Sequence, residues 1–165
     1  MIFGMTILTF VHVLLSLIGI LAGLVVMFGL LTSKALKGWT AVFIWTTVAT
    51  SVTGFLFPFH RFMPSHAIGI ISLLVLAVAI YALYSMHLAG AWRRIYAITA
   101  MIALYLNVFV LIAQLFDKVP ALRALAPTKT EAPFKQAQLA ALVVFVVLTI
   151  LAAIKFRGEQ VQPGS

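Results

Sequence analysis

Long apolar runs separated by short polar breaks dominate the chain. Five of these runs are long enough to cross a hydrocarbon layer of about 30 Å, which requires roughly 20 helical residues. Hydrophobic positions follow one another continuously instead of alternating with polar ones, a pattern typical of membrane helices rather than of barrel strands. The pattern predicts spans near residues 6–31, 39–57, 66–88, 95–116 and 137–154.

The fold class predicted from these runs is all-α, a polytopic transmembrane helix bundle of about five spans. We expect residues 1–157 to form a single transmembrane domain and residues 158–165 to form a short flexible tail. The one long break runs from Asp117 to Gln136. Pro120 is compatible with a first helical turn and Pro127 stops a helix, so a short helix on the membrane surface is predicted between them.

Composition supports a membrane protein and excludes several functions. Hydrophobic residues make up 64% and charged residues 8% of the 165 positions, against roughly 45–50% and about 25% in soluble domains. So short a soluble chain could not hide this apolar surface, and the lipid bilayer is the expected partner. The chain has no cysteine, which excludes disulfides, thiolate nucleophiles and iron–sulfur clusters. Hydrolytic motifs such as G-x-S-x-G are also missing, so no catalytic residue is predicted and a non-enzymatic protein is favoured.

The net charge of +8 would suggest nucleic-acid binding if the basic residues formed one face. They lie instead between or just after the apolar runs, which indicates membrane topology and attraction to anionic headgroups and excludes a nucleic-acid partner. We call the membrane face where span one begins the N-side and the opposite face the C-side. The C-side carries Lys34, Lys37, Arg93, Arg94, Lys155 and Arg157, and the N-side carries Arg61, Lys118, Arg123, Lys129 and Lys135.

Charge near span one predicts the orientation. The segment before this span has no Lys or Arg, whereas the loop after it has Lys34 and Lys37. Because basic loops stay in the cytoplasm and the first helix usually dominates, we expect the N-terminus outside and the C-terminus inside.

Four histidines carry the clearest potential for chemistry, because ionisable residues near membrane spans are costly and often functional. A rise of about 1.5 Å per residue places His12, His60 and His66 at the N-side, with His87 about 30 Å away at the C-side. Two imidazoles from different helices suit haem iron, and imidazole with a thioether suits copper. The sequence therefore predicts a candidate cofactor site for haem b at His12, His60 and His66, and an alternative copper site at His60, Met63 and His66.

A structural role is the favoured interpretation of these histidines, with the cofactor and metal sites as alternatives. Histidine is amphipathic and can anchor a helix end in the headgroup layer, or contact a headgroup or a quinone. No carboxylate lies within a span to orient a ligating imidazole, so backbone carbonyls, hydroxyls or water would have to do so. Two functions are thus compatible with the sequence: a non-enzymatic membrane component that self-associates or joins a partner, and a haem- or copper-binding redox protein.

The first span contains a pattern of small residues and the second a pattern of hydroxyl residues. Each pattern can serve helix packing or a function. Gly19 and Gly23 form a GxxxG motif, which allows close approach of helices within one chain or in a dimer. Thr46, Thr50 and Thr53 form a hydroxyl stripe, which lines a pocket or bonds to its own helix. In both cases the packing interpretation is favoured.

The last two spans differ in polarity. Span four carries Asn107 near the middle of the bilayer, and an unmatched carboxamide there would be costly. The hydroxyls of span two are its expected partners. Span five is almost entirely Val, Leu, Ala and Phe from Ala137 to Ala153, so we expect it to be peripheral and to face lipid.

Several strings of the chain resemble those of a group of small uncharacterised bacterial inner-membrane proteins with no established activity. These strings are P-S-H-A-I-G-I-I-S-L at Pro64–Leu73, H-L-A-G-A-W-R at His87–Arg93, Y-L-N-V-F-V-L at Tyr105–Leu111, and L-A-P-T with A-P-F in the long loop. The resemblance covers most of the chain. It implies a location in the bacterial cytoplasmic membrane and carries over no activity, cofactor or site residue.

Overall fold

Helices make up nearly all of the described part of the chain. A computed structural model describes residues 7–34, 36–56, 64–128 and 131–156, and no strand occurs among them. The helices are α1 (Ile7–Leu31), α2 (Lys37–Gly54), α3 (Pro64–Ile80), α4 (Ala91–Lys118), α5 (Pro120–Leu125) and α6 (Ala132–Lys155). The predicted all-α bundle is confirmed.

Four of the described helices are long and apolar enough to cross a membrane: α1, α3 with its extension to Ser85, α4 and α6. The helix at the predicted second span, α2, has 18 residues but is rich in threonine. It packs against α1 and α3 and buries Thr40, Phe43, Ile44 and Thr47, while its other face is exposed. The chain is an integral membrane protein, and the prediction of about five spans agrees with this arrangement.

Some helices extend beyond the predicted apolar spans because polar residues at their ends are also helical. Span five was expected from residue 137, but α6 begins at Ala132 because Pro133 fits its first turn. The predicted short helix in the long break is confirmed as α5, which begins with Pro120. Ala126 after α5 is fully buried, which anchors this loop against the bundle.

The core lies where α1, α2, α3 and α4 meet. Its largest fully buried apolar side chains are Phe43, Ile44, Leu76, Met101 and Leu104. Burial of side chains this large stabilises the bundle through close packing, since lipid tails are as apolar as the core and supply no hydrophobic drive.

The GxxxG motif brings α1 close to α2 and α4. A Cβ atom on Gly23 would lie 2.6 Å from the Leu104 Cδ1 atom and 2.9 Å from the Phe43 ring. One on Gly19 would lie 3.1 Å from the Thr46 hydroxyl oxygen. The favoured interpretation, packing within the chain, is therefore confirmed.

The threonine stripe of α2 bonds mainly to its own helix. The hydroxyls of Thr46, Thr50 and Thr53 donate to the carbonyls of Val42, Thr46 and Ala49 at 2.6, 2.7 and 2.8 Å. These bonds satisfy the hydroxyls inside the membrane, as the packing interpretation predicts.

The last helix is peripheral, as expected. On α6 only Phe145 and Ala152 are buried, and the Phe145 ring centroid lies 5.7 Å from that of Tyr105 on α4. The rest of its apolar surface faces outward through Leu139, Leu142, Val143, Val144, Val146, Val147, Ile150 and Ile154.

Candidate functional site

A cavity of about 290 Å³ opens at the C-side end of the bundle. Every membrane helix contributes to it, either directly or through the residues that follow its end. The lining residues are Val26, Leu30, Lys34, Lys37, Thr40, Leu83, Tyr84, His87, Leu88, Tyr96 and Phe156. A concave, largely apolar space with a few polar groups is the usual form of a small-molecule site, although this one is at the small end of the common range.

The end of α1 fixes one basic side of the mouth. The Ser33 amide donates to the Leu30 carbonyl at 3.3 Å, and the Lys34 amide donates to the Gly29 carbonyl at 2.6 Å. With Ser33 at φ 58°, these two bonds form a Schellman motif. A Cβ on Gly29 would lie 2.7 Å from the Lys34 carbonyl oxygen. Glycine at this position is therefore what allows the chain to fold back over the helix end and hold Lys34 at the cavity.

A change of helix geometry shapes the opposite side of the mouth. After Ile80 the chain continues as a π-helical turn, Tyr81–Ser85, with the Met86 amide donating to the Tyr81 carbonyl at 2.9 Å. The wider turn brings Leu83 and Tyr84 onto the cavity wall. π-helical turns inside longer helices occur frequently at functional sites.

The turn after the π-helical segment is strained. His87 and Leu88 have φ angles of 50° and 59°, in the left-handed region that side chains with a Cβ avoid at a cost of about 1–2 kcal/mol each. Gly90 follows at φ 55° and ψ −129°, which only glycine adopts readily. Both left-handed residues line the cavity, and strain of this kind concentrates at binding sites.

The mouth of the cavity is basic. Lys34, Lys37 and His87 are exposed, and none of the lining residues carries a carboxyl group. The two ammonium groups therefore present an unbalanced positive charge, which attracts an anion at the membrane surface. Lysine is a common ligand of phosphate groups, which it binds as a point charge.

The buried part of the wall is apolar except for the hydroxyls of Thr40 and Tyr96, and a third hydroxyl lies on the exposed side chain of Tyr84. Tyr96 is 2% exposed and its hydroxyl oxygen has no hydrogen-bond partner among the described residues. This hydroxyl faces Thr40 of α2, but no hydrogen bond of acceptable geometry joins the two. Leaving a buried hydroxyl unpaired costs about 1–3 kcal/mol.

Aromatic packing holds the Tyr96 ring in place. Its centroid lies 6.0 Å from that of Phe156, at an interplanar angle of 53°. The guanidinium carbon of Arg93 lies 5.8 Å from the centroid of the Phe156 ring, within the range of a cation–π contact. The position of the tyrosine hydroxyl is thus fixed by the residue that follows α6.

The N-side histidines can be compared with the structure only in part. The His12 Nδ1 atom lies 2.8 Å from the Thr53 hydroxyl oxygen, which joins the start of α1 to the end of α2. His60 and Met63 lie outside the described residues, as does the side chain of His66. The haem and copper sites at these residues therefore stay predictions. His87 lies at the opposite end of the bundle, on the C-side cavity.

Sequence reasoning found the lysines and His87 but not the site that they share. Lys34 and Lys37 were interpreted as signals of topology and of attraction to anionic headgroups, and the hydroxyls of Thr40 and Tyr96 were not singled out as a pair. A usable signal was present, because the basic and aromatic residues near the C-side end of every span share one membrane face. To predict the cavity, one must know which helix ends are neighbours in the folded bundle, and the sequence alone does not give this.

No protein-family model, curated protein or solved structure significantly matches the chain.

Proposed function

We propose that the protein is a non-enzymatic component of the bacterial cytoplasmic membrane that binds an anionic amphiphile in its C-side cavity. The observation that carries the proposal is the pair Lys34 and Lys37 at the mouth of an apolar cavity with no acidic lining residue. A charged head paired with the lysines and an apolar tail against Val26 and Leu30 would match this arrangement.

Orientation supports the same ligand class. We place the C-side in the cytoplasm, since the loop after α1 carries Lys34 and Lys37. The cytoplasmic leaflet is the one rich in anionic lipid, and each lysine near its surface contributes about 1 kcal/mol to attraction. The ligand can therefore enter the cavity from the leaflet or from the adjoining water.

Self-association or a partner protein stays a prediction for this chain. The GxxxG motif is occupied by Leu104 and Phe43 of the same chain, so an interface between copies would have to use another surface. The cavity is the better-supported basis for function because charge, shape and backbone geometry coincide there.

The test is a titration of the purified full chain in non-ionic detergent with dodecyl phosphate, followed by thermal unfolding. We expect dodecyl phosphate to raise the Tm, because a ligand that binds only the folded state stabilises it. The Lys34→Ala/Lys37→Ala double variant should bind roughly 30-fold more weakly, which corresponds to about 1 kcal/mol for each lysine.

The matched control removes the same charge at the other face. Arg123 lies on α5 and Lys135 on α6, both at the predicted N-side and both exposed, so Arg123→Ala/Lys135→Ala should leave binding unchanged. Equal weakening by both double variants would show that the net charge alone attracts the amphiphile, and the proposed site would be wrong.

A further inference from the structure

The buried hydroxyl of Tyr96 points to a second recognition element inside the cavity. Tyr96 lines the cavity, is 2% exposed, and has no hydrogen-bond partner for its hydroxyl among the described residues. Phe156, itself 3% exposed, packs against the ring. The ring is therefore held in one position, and its enclosed hydroxyl can pair with a ligand only when neighbouring groups, Thr40 among them, shift to admit it.

Thr40 adds a second hydroxyl beside that of Tyr96. Thr40 is 5% exposed, lines the same cavity and is the residue that the tyrosine hydroxyl faces. It follows Lys37 on α2 by three residues, which is about 4.5 Å along a helix. The hydroxyl pair thus lies roughly one helical turn deeper than the lysines of the mouth.

The distance between the lysines and the two hydroxyls restricts the structure of the ligand more than the charge of the mouth does. The lysines at the mouth would bind an anion, and the hydroxyls share the more buried part of the lining with apolar residues such as Val26 and Leu30. A matching ligand carries an anionic head, then an oxygen that accepts or donates a hydrogen bond a few covalent bonds away, then an apolar chain. An acylated glycerol phosphate has these groups in this order.

We propose that the cavity recognises a monoacyl glycerol phosphate, with Lys34 and Lys37 on the phosphate and the Tyr96 and Thr40 hydroxyls on the ester carbonyl or the free glycerol hydroxyl. This inference rests on the proposed function, since it assigns the chemistry of the same ligand. A cavity of about 290 Å³ fits one head and the first part of one chain, because pockets for larger ligands extend to roughly 1,000 Å³.

Specificity for a ligand with an ester or hydroxyl oxygen follows from the cost of leaving the buried Tyr96 hydroxyl unpaired. An alkyl phosphate can pair its phosphate with the lysines, but it has no further oxygen that can form a hydrogen bond with the hydroxyls of Tyr96 and Thr40. A site built to pair with a polar group discriminates strongly against an analogue that lacks it. We therefore expect the protein to prefer the acylated glycerol phosphate to the alkyl phosphate by at least about tenfold.

The experiment compares two amphiphiles with equal carbon chains, 1-lauroyl glycerol 3-phosphate and dodecyl phosphate, by titration of the Tm of the full chain in non-ionic detergent. Tyr96→Phe retains the ring that packs on Phe156 and removes only the hydroxyl. We expect this variant to lose the tenfold preference while its affinity for dodecyl phosphate stays unchanged. Thr40→Val should reduce the preference in the same direction.

Stability without ligand separates recognition from a structural role. Because the hydroxyl of Tyr96 makes no hydrogen bond of acceptable geometry with Thr40 or any other described residue, Tyr96→Phe should have an unchanged or higher Tm in the absence of ligand. A lower Tm would show that the hydroxyl stabilises the fold and would overturn the inference. The control is Tyr105→Phe, whose ring lies 6.3 Å from that of Phe109 in another part of the bundle and whose variant should keep the preference.

The remaining outcomes distinguish the specific ligand, a monoacyl glycerol phosphate, from the broader class of anionic amphiphiles. Equal affinity of the wild-type chain for both amphiphiles overturns the monoacyl glycerol phosphate and leaves the anionic-amphiphile function intact. Binding of neither amphiphile removes the proposed function as well. Soluble glycerol 3-phosphate should bind about a hundredfold more weakly than its lauroyl ester, because it has no chain to bury. Equal binding would identify a soluble phosphate ester, not a lipid, as the ligand.

Discussion

The carboxamide of Asn107 on α4 donates a hydrogen bond to the Thr47 hydroxyl oxygen on α2, at 3.3 Å. Thr47 is fully buried, so this bond joins two helices inside the bundle. The Asn107 amide also lies next to Gly19, where a Cβ would be 3.7 Å from its nitrogen. Three helices therefore meet at one polar contact.

A double-mutant cycle at this contact should measure its contribution. We expect Thr47→Val and Asn107→Leu to be coupled by about 0.6–1.7 kcal/mol of unfolding free energy, the range found for hydrogen bonds between membrane helices. Denaturant unfolding in mixed micelles is the measurement. Thr46→Val serves as the control, since its hydroxyl donates to Val42 on its own helix and its coupling to Asn107→Leu should be smaller.

Gly23 should tolerate alanine poorly although alanine favours helices. A Cβ there would lie 2.6 Å from Leu104 and 2.9 Å from Phe43, and such overpacking costs about 1–3 kcal/mol. Gly38→Ala is the matched control, because nothing lies within 4 Å of a Cβ at that position. Its Tm should stay the same or rise. Equal Tm values for the two variants would contradict the packing of α1 against α2 and α4.

Gly29→Ala should disturb the cavity mouth rather than the core. The added Cβ would lie 2.7 Å from the backbone oxygen of Lys34, which cannot move away without displacing the lysine. We expect a loss of stability of about 1–3 kcal/mol together with weaker binding of dodecyl phosphate. Gly38→Ala again provides the comparison. Unchanged phosphate binding in a destabilised Gly29→Ala variant would show that the Lys34 backbone position does not matter for the ligand.

The orientation of the chain can be tested with reporter fusions. A reporter active only in the cytoplasm should work at Ser165, and one active only in the periplasm should work within the Thr128–Ala132 loop. The reason is the basic loop after α1, with Lys34 and Lys37, which is expected to stay inside. The opposite pattern would place the cavity on the outer face, and equal patterns at both positions would contradict five spans.

The N-side histidine hypothesis predicts an absorption signature. If haem binds there, the purified protein should show a Soret band that disappears in the His12→Ala/His66→Ala double variant and persists in His87→Ala. Copper at His60, Met63 and His66 should instead be stoichiometric in metal analysis and be lost in Met63→Ala. A colourless, metal-free protein whose stability the double variant does not change would contradict both sites and favour the anchoring role, with the hydrogen bond between His12 and Thr53 as one of its contacts.

Two features could be predicted from the sequence: the helices, from the length of the apolar runs, and the partner of a polar residue inside a span. The runs predicted the helices because each must satisfy its backbone within the membrane, and Asn107 predicted a hydroxyl partner because an unmatched amide is costly there. The π-helical turn Tyr81–Ser85 was not predictable, since no residue preference specifies the change from one hydrogen-bond pattern to another. The cavity was missed for a related reason, as its lining depends on which helix ends become neighbours after packing.

The position of Phe156 after α6 has a consequence for biosynthesis. This residue is 3% exposed and holds the Tyr96 ring, yet it follows a helix that lies at the edge of the bundle. During translation, α1 to α4 leave the ribosome well before it. The cavity wall is therefore completed only when the last helix has inserted, and a nascent chain interrupted earlier would present an unfinished pocket to the lipids around it.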